Sequence, residues 1–151
     1  MVTEIDIPAL KTAVASEILN RLPAWFGIPE STAEYISGVA DLPFWADTDA
    51  EMLRGFIALK QTGPKAAEIY VMGVLPEYHR HGVGRGLFKV LEQYARDKGY
   101  SYLQVKTVSR GVWESYDITN DFYTAMGFEE LDRLPELWGK ENPCQIYVKA
   151  I

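Results

Sequence analysis

The stretch densest in chemistry is Glu77–Phe88, EYHRHGVGRGLF. It holds both histidines of the chain, His79 and His81, with Arg80 and Arg85 beside them and Gly82, Gly84 and Gly86 at alternate positions. A β-rich run, AAEIYVMGVL, ends just before it, and a run of helical periodicity, VGRGLFKVLEQYARDKG, begins inside it. A strand that turns directly into a helix presents first-turn N–H groups with no intrahelical partner. Together with the helix dipole these make an anion site. Glycine lets backbone approach an anion closely and takes φ > 0 where the turn needs it. The arginines add positive charge, and the histidines add more when protonated. A phosphate or pyrophosphate would satisfy such a loop; a glycine-rich turn that only redirects the chain is the plainer reading of the same spacing. Two phosphate motifs are excluded. No Gly-Lys-Ser/Thr follows, and in a G-x-G-x-x-G register from Gly82 the last position is Leu87. His79-x-His81 could ligate a metal, but no third ligand stands near it in the sequence, so no metal is expected.

The elements that must position this loop can be read along the chain. Pro8–Leu22 places apolar residues at Leu10, Val14, Ile18 and Leu22, a helical stripe with Pro8 suited to the first turn. PESTAEYISGVADL predicts a second helix, with Ser31 and Glu34 at capping-box spacing. PFWADTDAEMLRGFIALKQT predicts a hairpin turning near Asp47–Asp49, and Gly63–Lys65 a further turn. After the β-rich run comes the helix from Val83, with Leu87, Val90, Leu91 and Tyr94 on one face and Gly99 as its stop. YSYLQVKTV is a strand, SYDITNDFYTAMGF contains a helix ending at Gly127, and NPCQIYVKAI is a final strand. This order predicts a mixed α/β (α+β) sheet, antiparallel early with one βαβ unit in the middle, and not a doubly wound one.

Bulk properties narrow the classes further. A chain of 151 residues is expected to form one domain, 1–151. Net charge −6 and a pI near 4.9 argue against a nucleic-acid partner. No apolar run approaches the ~20 residues that span a membrane. Glu4 and Asp6 stand where a secretory signal would carry Lys or Arg, and a cytoplasmic location is expected. The single cysteine, Cys144, excludes an intrachain disulfide and reads as a strand-buried thiol.

VLPEYHRHGVGRGLF resembles motif A of the GNAT N-acetyltransferases, Gln/Arg-x-x-Gly-x-Gly/Ala, here His79-Arg80-His81-Gly82-Val83-Gly84. His79 stands in the Gln/Arg place. In that family the loop holds the pyrophosphate of acetyl-CoA through backbone N–H groups. The resemblance therefore implies His79, Arg80, His81, Gly82, Val83, Gly84 and Arg85 as coenzyme contacts. YDITNDFYTAMGF resembles the family's N-x-x-A-x-x-F-Y-x-x-x-G-F motif at Phe122, Tyr123, Gly127 and Phe128, with Tyr116 in the Asn place and Thr119 in the Ala place. Asn120, the nearest amide although not the motif position, is taken as a coenzyme contact. AEIYVMGV resembles the family's central strand, and Glu68 lies eleven residues before His79, where the histone-acetylating branch has its general base. The resemblance runs from Met52 to the C-terminus through three ordered motifs, and LPAWFGIPES and LPELWGKENPC are similar to a bacterial branch. It implies the GNAT acyl-CoA N-acyltransferase fold, a central, mixed, mostly antiparallel twisted sheet flanked by about four helices.

The implied reaction moves an acetyl group from acetyl-CoA directly to a primary amine. Glu68 is the implied base, acting directly or through a water, and Tyr123 the implied acid for the departing thiolate. A backbone N–H near Met72, Gly73 and Val74 would meet the oxyanion, at a bulge that splays the strand and admits the pantetheine arm; Gly73 fits a bulge. From Ile28 to Leu53 there are six acids (Glu30, Glu34, Asp41, Asp47, Asp49, Glu51) and no Lys or Arg. If this segment borders the acceptor, as in the family, it would attract a cationic small molecule or a protein lysine or N-terminus. A solvated acidic face is the plainer reading. Trp25, Phe26, Tyr35, Phe44 and Trp45 could wall the same pocket. A catalytically silent acyl-CoA-binding sensor on this fold is the alternative, and a homodimer is compatible with the sequence.

Overall fold

Two prolines set where the first helices begin. In the computed structural model, which describes residues 1–151, α1 spans Pro8–Leu19 and α2 Pro29–Gly38. Each has its proline in the first turn, where a missing N–H removes no helical bond. The Ser31/Glu34 spacing does not cap α2. Its N-cap is Ile28 with no side-chain bond, and Pro29 starts the helix ahead of Ser31. Val14, Ile18 and Leu22 of the predicted stripe are buried, but Leu10 is exposed. The inward position at that end is Lys11, whose stem is covered while Nζ donates to Leu42 O at 2.6 Å.

A 3-10 turn, Val39–Asp41, leads into β2 (Phe44–Asp49). The chain reverses through Ala50 and Glu51, both left-handed at φ 47° and 70°, into β3 (Met52–Gln61). Two left-handed residues match the twist of a tight hairpin. β4 (Ala66–Val74), α3 (Val83–Asp97), β5 (Tyr102–Val108) and α4 (Glu114–Ala125) follow as the periodicity predicts. Two strands escape that reading. β1 (Val2–Glu4) is three residues long, and β6 (Glu129–Leu134) is an exposed edge strand, EELDRL, without apolar alternation. β7 (Cys144–Ala150) closes the chain.

The strands form one sheet in the order β1-β2-β3-β4-β5-β7-β6. All neighbours are antiparallel except β4 and β5, whose parallel pairing requires the α3 crossover. Alternation along β2 and β3 feeds two cores. Phe44, Ala46, Phe56, Ala58 and Val71 meet α1 on one face. Trp45, Ile57, Leu59 and Ile69 meet α3 and α4 on the other. Phe44 and Trp45 are therefore core and not pocket wall: Phe44 stacks on Phe56, and Trp45 lies edge-on to Tyr94 of α3. On α3, Leu87 and Leu91 are buried and Val90 is exposed at the margin of the predicted face. No helix is long and apolar enough to cross a membrane.

Candidate active site

β4 and β5 pair only at their first residues, from Ala66↔Tyr102 to Glu68↔Gln104. Beyond Glu68 the two strands diverge. The register of β4 against β3 shifts there: Ala58 pairs with Val71 and Leu59 with Ile69, which leaves Tyr70 as the extra residue of a bulge. A bulge bends and twists its strand, and here it opens a gap toward the C-terminal ends of β4 and β5. The bulge thus lies at Tyr70 and not at Met72–Val74. Gly73 pairs in register with Phe56 and is needed for another reason. A Cβ there would stand 2.8 Å from Ile18 Cγ2 and 2.9 Å from Leu22 Cδ1, because α1 crosses the strand at this point. Met72 and Val74 are half-buried against the α3 side of the sheet. The edge of β4 that faces β5 has no strand partner from Ile69 to Val74, and its backbone groups, Val74 O excepted, are open to whatever enters the gap.

The basic loop sits at the end of this edge. The first helical bond of α3 runs from Gly86 N to Gly82 O, and the N–H groups of Gly82, Val83, Gly84 and Arg85 have no partner within the protein. Arg80 and Gly82 are left-handed at φ 64° and 79°, and Val83 is buried, which pins the start of the helix. Gly82 is required by its φ, since nothing crowds its missing Cβ. Gly84 is required by packing: a Cβ would lie 3.0 Å from Phe122 Cε1 of α4. The side chains of Arg80, His81 and Arg85 are exposed. His79 is turned back instead. Its Nε2–H donates to Val74 O at 2.9 Å, since a carbonyl can only accept, so of the side chain only Nδ1 is left uncommitted.

Glu68 is the last paired residue before the gap opens, and it is buried. Its Oε2 accepts from Lys106 Nζ at 3.2 Å; Lys106 lies two residues beyond Gln104 on β5, hence on the same face. α2 covers this apex with Tyr35, whose ring is edge-on to Tyr70 at 5.4 Å and to Phe26 at 5.9 Å. A Cβ on Gly38 would collide with the Tyr70 ring, so that glycine seats α2 over it. Burial pushes the Tyr35 hydroxyl up, with Tyr70, Glu68 and Glu34 adding to it; burial then Glu34 and Glu68 do the same to Tyr70. Glu34, exposed, is a member of the acidic run beside this apex, where Tyr70 Oη donates to its backbone O at 3.5 Å. Asp47 is not beside it: it is buried on β2, with Oδ1 accepting from Arg54 Nε at 2.6 Å, and Asp49 lies 3.9 Å from the same guanidinium. Cys144 is buried, and burial pushes its thiol up against the opposing pull of Lys106. An inert thiol fits that setting.

From the other face α4 contributes Tyr123, buried among Phe122, Phe128 and Tyr147. Burial holds its hydroxyl far above the ordinary tyrosine value, with smaller contributions from Tyr116 and Tyr35. Every wholly buried side-chain polar atom has a hydrogen-bond partner, yet the Tyr123 hydroxyl makes no bond to the protein, so its tip is accessible and uncommitted. Asn120 is the reverse case and corrects the sequence reading. It is wholly buried, Nδ2 donates to Val108 O at 2.9 Å and Tyr116 O at 2.7 Å, and Oδ1 accepts from Tyr147 Oη at 2.5 Å. Its amide ties α4 to the end of β5 and to β7, leaving nothing for a coenzyme. Lys106, bonded to Glu68, and Tyr70, at the bulge, stand at this candidate site and were missed by sequence reasoning; only the parallel register of β4 and β5 puts Lys106 beside Glu68.

Comparison with known proteins agrees with this geometry. The model of the acetyltransferase (GNAT) family matches residues 14–128. Among solved structures, an acetyltransferase from Streptococcus agalactiae is 22% identical with TM-score 0.79, covering 100% of this chain and 98% of that one. The ribosomal-protein-S18-alanine N-acetyltransferase from Escherichia coli is 19% identical with TM-score 0.78, covering 100% and 94%. An aminoglycoside 6'-N-acetyltransferase complexed with coenzyme A is 19% identical with TM-score 0.75, covering 99% and 96%. No curated protein matches. With its mixed sheet opened between β4 and β5, and its family match running from α1 past the end of α4, the chain belongs to the GNAT acetyltransferase family.

Proposed function

We propose that this protein transfers an acetyl group from acetyl-CoA to a primary amine. The observation that carries this reading is the row of free N–H groups from Gly82 to Arg85, at the end of a β4 edge with no strand partner. Those N–H groups, with Arg80 and Arg85, would hold the pyrophosphate of the coenzyme, and the free edge of β4 at Met72–Val74 would hold its pantetheine arm. A solved relative in complex with coenzyme A supports the same ligand. Glu68 is the base that takes a proton from the attacking amine, and Tyr123, kept protonated by burial, is the acid that returns one to the departing thiolate. The proton count balances from the neutral amine: an ammonium first gives one proton to solvent, a second leaves nitrogen for Glu68 as the C–N bond forms, and Tyr123 gives one to sulfur as the C–S bond breaks.

The acceptor we favour is cationic, either a small molecule or the lysine or N-terminus of a protein. Glu34 and Glu68 supply negative charge beside the Tyr35 and Tyr70 rings, whose faces attract cations; Lys60 Nζ already lies 5.5 Å from the Tyr70 ring centre. Solved relatives include enzymes that acetylate an aminoglycoside and a ribosomal-protein alanine. One observation favours a second reading, an acyl-CoA-binding sensor: the Glu68 carboxylate is already engaged by Lys106. The test is calorimetric titration with acetyl-CoA and with NADH, then thiol release with a panel of amines. Micromolar binding of acetyl-CoA alone, followed by amine-dependent thiol release, is the expected result. Binding without release from any amine favours the sensor, and no binding overturns both readings.

A further inference from the structure

The three positions where this chain departs from the family motifs, His79, Tyr116 and Thr119, meet at one residue, Trp25: His79 and Thr119 at its indole, Tyr116 at its backbone carbonyl. Its indole N–H is shared between Ser115 O and Thr119 Oγ1, both at 3.0 Å. Tyr116 Oη donates to Trp25 O at 2.5 Å, and Ser115 Oγ donates to Ala24 O at 3.0 Å. On the loop side the indole lies edge-to-face with the His79 ring, centroids 5.7 Å apart, and His79 is bonded in turn to Val74 O. Trp25 belongs to the segment between α1 and α2, Tyr116 and Thr119 to α4, and His79 to the loop after β4. One residue therefore bridges the open end of the gap, from the last residue of β4 to the first turns of α4. It also fixes the segment that leads to Phe26 and Tyr35 on the acceptor side.

We propose that Trp25 is a positioning residue that couples the coenzyme loop to the acceptor-side segment. The Tyr116 hydroxyl is removed from any coenzyme by its bond to Trp25 O, and Thr119 is oriented by the indole N–H. What the motif would supply as direct contacts is used here to hold the α1–α2 segment against α4. The position of His79, and with it the carbonyl at the end of β4, then depends on a clasp that does not itself touch the coenzyme. This inference rests on the acetyl-CoA reading above.

The test is a set of variants read by coenzyme A affinity, amine KM and kcat. Trp25→Leu removes the aromatic ring and the N–H; Trp25→Phe keeps an aromatic ring edge for His79 and removes the N–H with the smaller ring of the indole. Trp25→Leu is expected to weaken coenzyme A binding and raise amine KM together, each about tenfold, with kcat changed less, and Trp25→Phe to fall between it and the unaltered protein. Tyr116→Phe and His79→Gln do not touch each other. Each is expected to weaken coenzyme A binding about threefold, and the pair no more than the worse single, because the path through Trp25 is already broken. Independent effects would multiply to about ninefold and would overturn the proposal. So would Trp25→Leu leaving both coenzyme affinity and amine KM within about twofold of the unaltered protein. If Trp25→Leu fails to fold, Trp25→Phe and the Tyr116/His79 cycle still decide it. Failure of the unaltered protein to bind coenzyme A sinks the acetyl-transfer reading and this inference together; intact binding with silent variants sinks the inference alone.

Discussion

Replacing Tyr123 by phenylalanine separates catalysis from folding at this site. The ring packs between Phe122, Phe128 and Tyr147, and phenylalanine keeps all of that contact. The hydroxyl bonds to no protein group, so its removal leaves no buried partner unsatisfied. Stability should change by less than about 1 kcal/mol, against the ~1–3 kcal/mol typical where a buried partner is orphaned. Loss of a general acid costs ~10²–10⁴-fold in rate, or ~2.7–5.4 kcal/mol of barrier. The assay is single-turnover thiol release with saturating acetyl-CoA, beside a urea transition and a coenzyme titration on the same preparation. Slow release with an unchanged urea midpoint and unchanged coenzyme affinity is the expected triad of results. Because burial raises the hydroxyl far above its ordinary value of 10.0, Tyr123 also stays protonated past that pH, so an alkaline fall in rate near neutrality cannot come from it. A variant that releases thiol at the unaltered rate refutes the acid assignment. A loss of stability above about 2 kcal/mol refutes the statement that the hydroxyl is uncommitted.

Three further outcomes follow from the same geometry. Glu68→Gln should lower kcat by ~10²–10⁴-fold with coenzyme affinity intact, and turnover equal to the unaltered protein across pH would remove Glu68 as the base. Asn120→Ala strands two buried partners, Val108 O and the Tyr147 hydroxyl, at ~1–3 kcal/mol each, so the urea transition should show a loss of about 2–6 kcal/mol; a stable variant with weakened coenzyme binding would restore the coenzyme role. Tyr35, Tyr70, Tyr94, Tyr116 and Tyr123 all have hydroxyls raised from 10.0 in the folded protein, Tyr116 to about 12. An unfolded chain ionises first, so the stability these neutral hydroxyls contribute is complete below pH 10.0 and is lost as pH rises toward their folded values. Tm should fall steeply above that pH and less so in Tyr116→Phe; equal falls in the two proteins would contradict the assignment.

The features legible in the sequence are those whose causes lie within a few residues. Pro8 and Pro29 start helices because a first-turn proline removes no hydrogen bond. The glycine loop announces a strand-to-helix turn because its free N–H groups and left-handed Gly82 are properties of the local backbone. The central β4–α3–β5 unit and the early hairpin could be read from periodicity, and the family from the resemblance of three motifs to its own. Spacing could place Asn120 on α4 but could not say which side of α4 turns inward, and the interior claimed its amide through Tyr147. Asp47 read as part of an acidic rim, yet Arg54 faces it across a hairpin whose turn the sequence located only approximately. Glu68 could be named, but its partner Lys106, 38 residues on, is set by the register of two parallel strands. The Trp25 clasp joins residues 90 to 94 apart in the chain. Local sequence determines which backbone conformations and which helix or strand faces are available. Pairing register, the bulge at Tyr70 and the face each side chain finally meets are decided by packing among distant segments, and that packing exists only in the folded chain.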